Sequence, residues 1–155
     1  MSDLKVETLD INWEKLEREC SQLIDIDPEL EPIQGVCPDG WHLPSDGEWK
    51  QLEMHLGMSR DEVDAIKWRG LDQGGKLKQE GNVYWEVPNT GASDEVGFSA
   101  LPGGYRHGSA EFEDESRTTR FWTSTTNGYG YAWYRQLDYD TAAVNRDYTG
   151  VYSGH

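Results

Sequence analysis

The chain has 155 residues, a length that fits one domain with a substantial core. Its 29 acidic and 14 basic residues give a formal net charge of −15, which disfavours nucleic acid and anionic lipid as partners because both need a basic patch. No apolar stretch approaches the ~20 residues of a membrane span, so we expect no membrane insertion. The first ten residues lack the layout of a secretory signal, so we expect an intracellular protein or a chain without its leader.

The first predicted element is an amphipathic helix over residues 12–24, "NWEKLERECSQLI". Its apolar stripe recurs at spacings of three and four residues and consists of Trp13, Leu16, Cys20 and Leu23. Cys20 is either a small buried hydrophobe or the disulfide partner of Cys37. The acidic, proline-containing link "DIDPELEPIQ" follows, so we place an N-terminal extension at residues 1–32 and a separate domain at residues 33–155.

A second helix is predicted to begin after Ser45, where Ser45 and Glu48 form a capping box. Gly57 is a natural stop for this helix. The stripe expected to face the core is Trp49, Leu52 and Leu56. Ser59 and Glu62 repeat the box, which predicts another short helix that runs to about Trp68.

From Gly70 onward, glycine pairs and short apolar alternations predict loops and strands. The expected segments are "GGKLKQ", "NVYWEV", "GFSALPGGYR", "RFWTST", "YAWYRQLDYD" and "AAVNRDY". Together with the early helices, they predict an α+β domain in which a loop-rich, mainly antiparallel sheet follows a helical layer.

The stretch around Cys37 and His42 invites a catalytic interpretation, which the spacing does not favour. Cys37 lies eight residues before the helix cap, and the sequence suggests no third residue that would orient His42 as a base. We expect His42 to be a core histidine that donates to a backbone carbonyl. The four histidines are scattered and show no metal-ligand spacing.

Several blocks occur together and in order: "GVCPDGWHLPSDGEW", "WRG" with "GGKLK", "NTGASDEVGFSALPGGYR", "FWTST", and "AWYRQLDYD" followed by "VNRD". Over roughly residues 33–153 they resemble the Fibrobacter succinogenes major paralogous domain, a family within the wider C-type-lectin-like fold. The resemblance implies two short helices, a small twisted, mainly antiparallel sheet and long loops. It also implies binding rather than chemistry, commonly on bacterial surfaces, and so an extracellular or cell-surface location.

The chain departs from this family at its end. Relatives continue with a closing strand whose cysteine could pair with the one in the "GVCP" block, whereas this chain stops at His155. We therefore expect the C-terminal strand to be missing or replaced, for example by residues 4–11. The related formylglycine-generating enzymes need a late cysteine pair, and no cysteine follows Cys37, so their activity is not expected here.

The strongest functional signal is a belt of aromatic residues interleaved with polar ones between Phe121 and Tyr152. Strand alternation places Tyr131, Trp133, Arg135, Leu137 and Tyr139 on one face and Ala132, Tyr134, Gln136, Asp138 and Asp140 on the more polar face, which we assign outward. Phe121, Trp133 and Leu137 are expected inside. The predicted ligand-binding residues are Trp122, Tyr129, Tyr131, Tyr134, Gln136, Asp138, Asp140, Asn145 and Asp147.

The leading hypothesis is a non-enzymatic, adhesin-type binding domain that recognises a glycan or a protein and needs no cofactor. Asp138 and Asp140 are weak Ca²⁺ candidates, beside an acidic loop of Glu111, Glu113, Asp114 and Glu115. One alternative is a variable ligand-binding protein of a diversity-generating retroelement, whose diversified regions favour similar residue types. Others are an enzyme that uses carboxylates with His42 or His107, and a purely structural module. The oligomeric state stays open.

Overall fold

A computed structural model describes residue 35 and residues 37–106, 111–127 and 129–150. The chain divides into two compact units, Met1–Glu31 and Pro32–His155, and the first lies outside the described residues. The helix predicted over residues 12–24, the strand replacement at residues 4–11, and His107 and His155 also fall outside them.

The described residues form an α+β fold with short helices and mainly antiparallel strands, as predicted. The helices are α1 (Asp46–His55), α2 (Arg60–Val63) and α3 (Gln73–Leu77). The strands are β1 (Lys67–Arg69), β2 (Tyr105–Arg106), β3 (Phe112–Glu113), β4 (Thr118–Thr126), β5 (Tyr131–Asp138) and β6 (Val144–Gly150). Four strands form an antiparallel sheet in the order β1-β6-β5-β4, and β2 pairs with β3. None of the described helices has the length and apolarity needed to cross a membrane.

Both predicted capping boxes are present. The Ser45 side chain accepts from the Glu48 amide, and the Glu48 carboxylate accepts from the Ser45 amide at 2.7 Å. Gly57 follows α1 with φ at +102°, a left-handed conformation that glycine adopts without strain. Ser59 and Glu62 cap α2 in the same way.

The prediction that the second of these helices reaches Trp68 is wrong. Helix α2 ends at Val63, and Lys67–Arg69 form β1 instead. Lys67 has φ at +75°, which is incompatible with a right-handed helix, and β1 pairs with Arg146, Asn145 and Val144 of β6. Tertiary pairing therefore overrides the local helical pattern at this point.

Helix α3 was not predicted, because the glycine pair of "GGKLK" directly follows its first residue, Gln73. Both glycines lie against backbone. A Cβ on Gly74 would lie 2.2 Å from the carbonyl oxygen of Ala143, and one on Gly75 would lie 2.2 Å from that of Gly91. The glycines therefore serve close packing rather than a turn.

The core lies between the helices and one face of the four-stranded sheet, which we call the inner face. Its buried apolar residues come from all three helices, the loop after α3 and the sheet; they include Trp49, Val63, Leu77, Trp85, Leu137 and Val144. Phe121 packs on this core with its ring 5.5 Å from Trp49, as expected, while Trp133 is only half-buried. The segment "NVYWEV", expected as a strand, is irregular.

A buried ion cluster joins α1 to the inner face. Arg135 donates to Glu53 at 2.7 Å and to Asp46 at 2.8 Å, and its side chain is fully buried. Arg69 donates to Glu53 at 2.5 Å, and Arg146 donates to Asp46 at 2.7 Å. These contacts connect residues up to 100 positions apart in the chain, so they hold the helical layer on the sheet.

Candidate ligand-binding face

The sheet face turned away from α1, which we call the outer face, carries rings, amides and charged groups together. Cross-strand pairs share a face, and the registers Trp68↔Asn145↔Gln136↔Arg120 and Asp147↔Tyr134↔Trp122 define two rows that cross the sheet. Asp138 lies beside the first row, opposite Thr118. The outer face thus consists of Trp68, Arg120, Trp122, Tyr134, Gln136, Asp138, Asn145 and Asp147.

In the first row, a relay of hydrogen bonds fixes the Arg120 side chain. Arg120 Nε donates to Gln136 Oε1 at 2.8 Å, and Gln136 Nε2 donates to Asp138 Oδ1 at 2.9 Å. The Arg120 guanidinium also lies 3.6 Å from the ring centroid of Tyr105 and 5.2 Å from that of Tyr134. Two rings and an amide therefore hold this cation in one position.

In the second row, Asp147 links a cation to a tyrosine. Lys67 Nζ donates to Asp147 Oδ2 at 2.5 Å, and this contact raises the pKa of Lys67. The same carboxylate contacts the Tyr134 hydroxyl. The pKa of Tyr134 is raised mainly by burial and also by Asp147. The Tyr134 ring packs edge to face against Trp122, with the centroids 6.3 Å apart.

The amide of Asn145 occupies the middle of the first row. Asn145 is only 8% exposed, and within the described residues its buried Oδ1 has no hydrogen-bond partner. Its neighbour Trp68 is 43% exposed. A buried carbonyl oxygen without a donor is uncommon in proteins, although Gln79 and Asn89 carry two others among the described residues.

Six of the nine predicted ligand-binding residues lie on the outer face: Trp122, Tyr134, Gln136, Asp138, Asn145 and Asp147. The predicted alternation of β5 is therefore confirmed. The expectation that the Tyr134 ring faces solvent is wrong, because Tyr134 is 7% exposed beneath its neighbours.

The other three predicted residues lie elsewhere. Tyr131 is on the inner face, where its ring is 6.0 Å from that of Tyr148. Tyr129 is 84% exposed in the hairpin between β4 and β5, and Asp140 lies in the turn after β5. The structure therefore brings six of the predicted residues together on the outer face and leaves the other three apart from it.

Among the described residues, the weak calcium candidates Asp138 and Asp140 do not belong to a cluster of possible metal ligands. Asp138 Oδ1 already accepts from Gln136 and from the Thr118 hydroxyl. Across the described ranges, no group of three or more His, Cys, Asp or Glu side chains is arranged to hold a metal ion.

Sequence analysis expected His42 to donate to a backbone carbonyl. Instead, His42 pairs with Glu48, with Nε2 and Oε1 2.7 Å apart. Burial raises the pKa of Glu48, but the Ser45 amide and His42 outweigh burial and hold this pKa below the ordinary value. The same carboxylate caps α1, so the pair is part of the helix N-terminus.

Sequence analysis missed two residues of the outer face, Trp68 and Arg120, and two residues that contact it, Lys67 and Tyr105. Arg120 was within reach of prediction, because it lies two residues before Trp122 in a strand and so shares its face. The other three depend on the short strands β1 and β2, whose two or three residues carry no readable alternation.

The chain matches the family described as Fibrobacter succinogenes major domain over residues 12–153. The match begins inside the segment that we expected to precede the family domain. No curated protein and no solved structure matches the chain. The ordered blocks and this match agree, and the chain therefore belongs to the Fibrobacter succinogenes major domain family.

Proposed function

We propose that this chain is a non-enzymatic binding domain that recognises a glycan on its outer face. One observation carries the proposal: half-exposed and buried rings lie in the same two rows as amides, carboxylates and an arginine. Aromatic faces stack on the C–H faces of sugars, and the neighbouring polar groups hydrogen-bond to hydroxyls. Few precisely placed polar groups among rings are typical of small-ligand sites.

A glycan fits this face better than a protein partner does. Protein interfaces centre on large aromatic anchors that are exposed before binding, whereas Tyr134 and Asn145 are almost fully covered. The accessible surface of the outer face is limited and suits a ligand of a few sugar rings: Trp68 is 43% exposed, and Arg120, Trp122, Gln136, Asp138 and Asp147 are partly exposed. Such contacts are weak singly, and display of several copies, as in an adhesin-type module at a cell surface, would strengthen attachment.

The finer fold assignment belongs to this proposal. A small antiparallel sheet with short helices on one face and a long irregular segment between α3 and β2 supports a C-type-lectin-like fold. The paired His42 and Glu48 act in helix capping, which supports a binding role over an enzymatic one.

A glycan array tests the proposal, with the unaltered chain beside Trp68→Ala and Tyr148→Ala. Trp68 and Tyr148 are both 43% exposed but lie on opposite faces of the same sheet, which makes them a matched pair. We expect glycan binding that Trp68→Ala weakens about tenfold and that Tyr148→Ala leaves within about twofold. Equal losses, no glycan binding at all, or capture of a protein ligand alone would refute the proposed function.

A further inference from the structure

Each strand of the four-stranded sheet carries one arginine, and three of the four are paired with carboxylates. Arg69 of β1, Arg135 of β5 and Arg146 of β6 point to the inner face and bind Glu53 or Asp46. Arg120 of β4 points to the outer face. Among the described residues no carboxylate forms an ion pair with it, although the chain has about twice as many acidic as basic side chains.

The position of Arg120 differs from that of an ordinary surface arginine. Among the described residues only its Nε has an acceptor, Gln136 Oε1, and none of them accepts from the four N–H donors on its terminal nitrogens. The amide of Gln136 stands between Arg120 and the nearest carboxylate of the relay, Asp138. Glu113 is occupied by the Tyr105 hydroxyl at 2.9 Å. The guanidinium is therefore ordered in advance but not neutralised.

Resting on the proposed function, we propose that the glycan is a sugar acid and that Arg120 binds its carboxylate. A guanidinium fork matches the two oxygens of a carboxylate, and its orientation by Tyr105 and Gln136 lowers the entropy lost on binding. Lys67 is already neutralised by Asp147, so among the described residues Arg120 is the cation at the outer face that no carboxylate pairs. The net charge of −15 repels polyanions, which favours one carboxylate over a phosphate or a densely sulfated chain.

The rest of the ligand would lie along the first row of the outer face. Arg120 and Trp68 stand at opposite ends of one row, three strand spacings or ~14 Å apart. A short oligosaccharide whose acidic ring is at Arg120 would therefore reach across Gln136 and Asn145 to the Trp68 ring. The Oδ1 of Asn145, which has no donor among the described residues, would accept from a sugar hydroxyl on that path.

Matched ligand pairs test this inference by calorimetry. The probes are short oligosaccharides that carry a single uronic acid, prepared with several different uronic acids, and for each the methyl ester, which keeps the shape and removes that one charge. We expect the unaltered chain to bind the acid about tenfold to a hundredfold more tightly than its ester. Arg120→Gln removes that preference and keeps the weak binding of the ester.

Arg117→Gln is the matched control. Arg117 lies just before β4, is exposed, and pairs with Glu86 at 2.6 Å, so its loss removes the same charge without touching the outer face. We expect this variant to keep the preference for the acid. Equal affinities for acid and ester, or a preference that survives Arg120→Gln, would overturn the role of Arg120 and leave glycan binding intact. Failure to bind either member of every pair would overturn this inference, and the glycan array then decides whether the proposed function falls with it.

Discussion

Lys78 is a buried cation in the described core whose charge is held by backbone carbonyl oxygens. Its side chain is fully buried, and Nζ donates to three carbonyl oxygens, those of Thr90 at 3.0 Å, Asp138 at 2.8 Å and Thr141 at 2.9 Å. Burial lowers the pKa of Lys78 to about 8. The three acceptors tie the loop after α3 to the end of β5 and to the turn that follows it.

We expect Lys78→Met to destabilise the protein by about 3 kcal/mol. The substitution keeps most of the side-chain volume but leaves three carbonyl oxygens without their donor in a buried site. Chemical denaturation gives the free energy of unfolding. Lys67→Met is the control, because that side chain is 68% exposed in a surface ion pair and its loss costs about 1 kcal/mol or less. Similar losses for both variants would contradict this account of Lys78.

At the scale of the elements, two helical glycines have opposite roles. Gly47 lies in α1, where an added Cβ would meet only the Ser45 hydroxyl at 3.7 Å. Gly74 lies in α3, against the carbonyl oxygen of Ala143. The same substitution therefore tests helix propensity at one position and backbone packing at the other.

Gly47→Ala is expected to stabilise the protein by about 0.5–1 kcal/mol, because alanine loses less backbone entropy in a helix. Gly74→Ala is expected to destabilise it by several-fold more than that gain, on the order of 3 kcal/mol, because α3 must move away from the backbone of Ala142 and Ala143, just before β6. Thermal unfolding followed by circular dichroism measures both. A rise in melting temperature for Gly74→Ala would show that this contact is not tight.

The elements that sequence could predict are those whose signals are local. The capping boxes at Ser45 and Ser59 depend on residues three apart, and the alternation of β4 and β5 extends over eight or nine residues. Strand β1 and helix α3 exist because of partners far along the chain, Val144–Arg146 and Ala142–Ala143. For that reason sequence analysis assigned Trp68 to a helix and did not include it among the predicted ligand-binding residues.

At the scale of the whole described domain, the buried ion cluster decides how the two layers stay together. Asp46 and Glu53 of α1 face three arginines from β1, β5 and β6. Removing one partner of such a cluster leaves a buried charge unpaired, which typically costs 3–5 kcal/mol. Sequence could place Arg135 on the inner face by alternation, but the carboxylates it meets lie 82 and 89 residues away.

Acid should unfold this domain partly through Asp46. Burial raises the pKa of this carboxyl, but Arg146 and Arg135 outweigh burial and hold its pKa well below the ordinary value. A carboxyl whose pKa is lower in the folded than in the unfolded state stabilises the protein at pH values above its unfolded-state pKa, near 4. That stabilisation is lost as the pH falls through the folded-state pKa.

We expect the unfolding free energy of the unaltered chain to exceed that of Asp46→Asn at pH 5. This difference should narrow by about 2 kcal/mol at pH 2. The control is Asp72→Asn, which removes a carboxylate that is 57% exposed and should change the unfolding free energy at pH 5 by about 1 kcal/mol or less. A gap for Asp46→Asn that does not change with pH would show that the arginines do not hold this carboxylate charged.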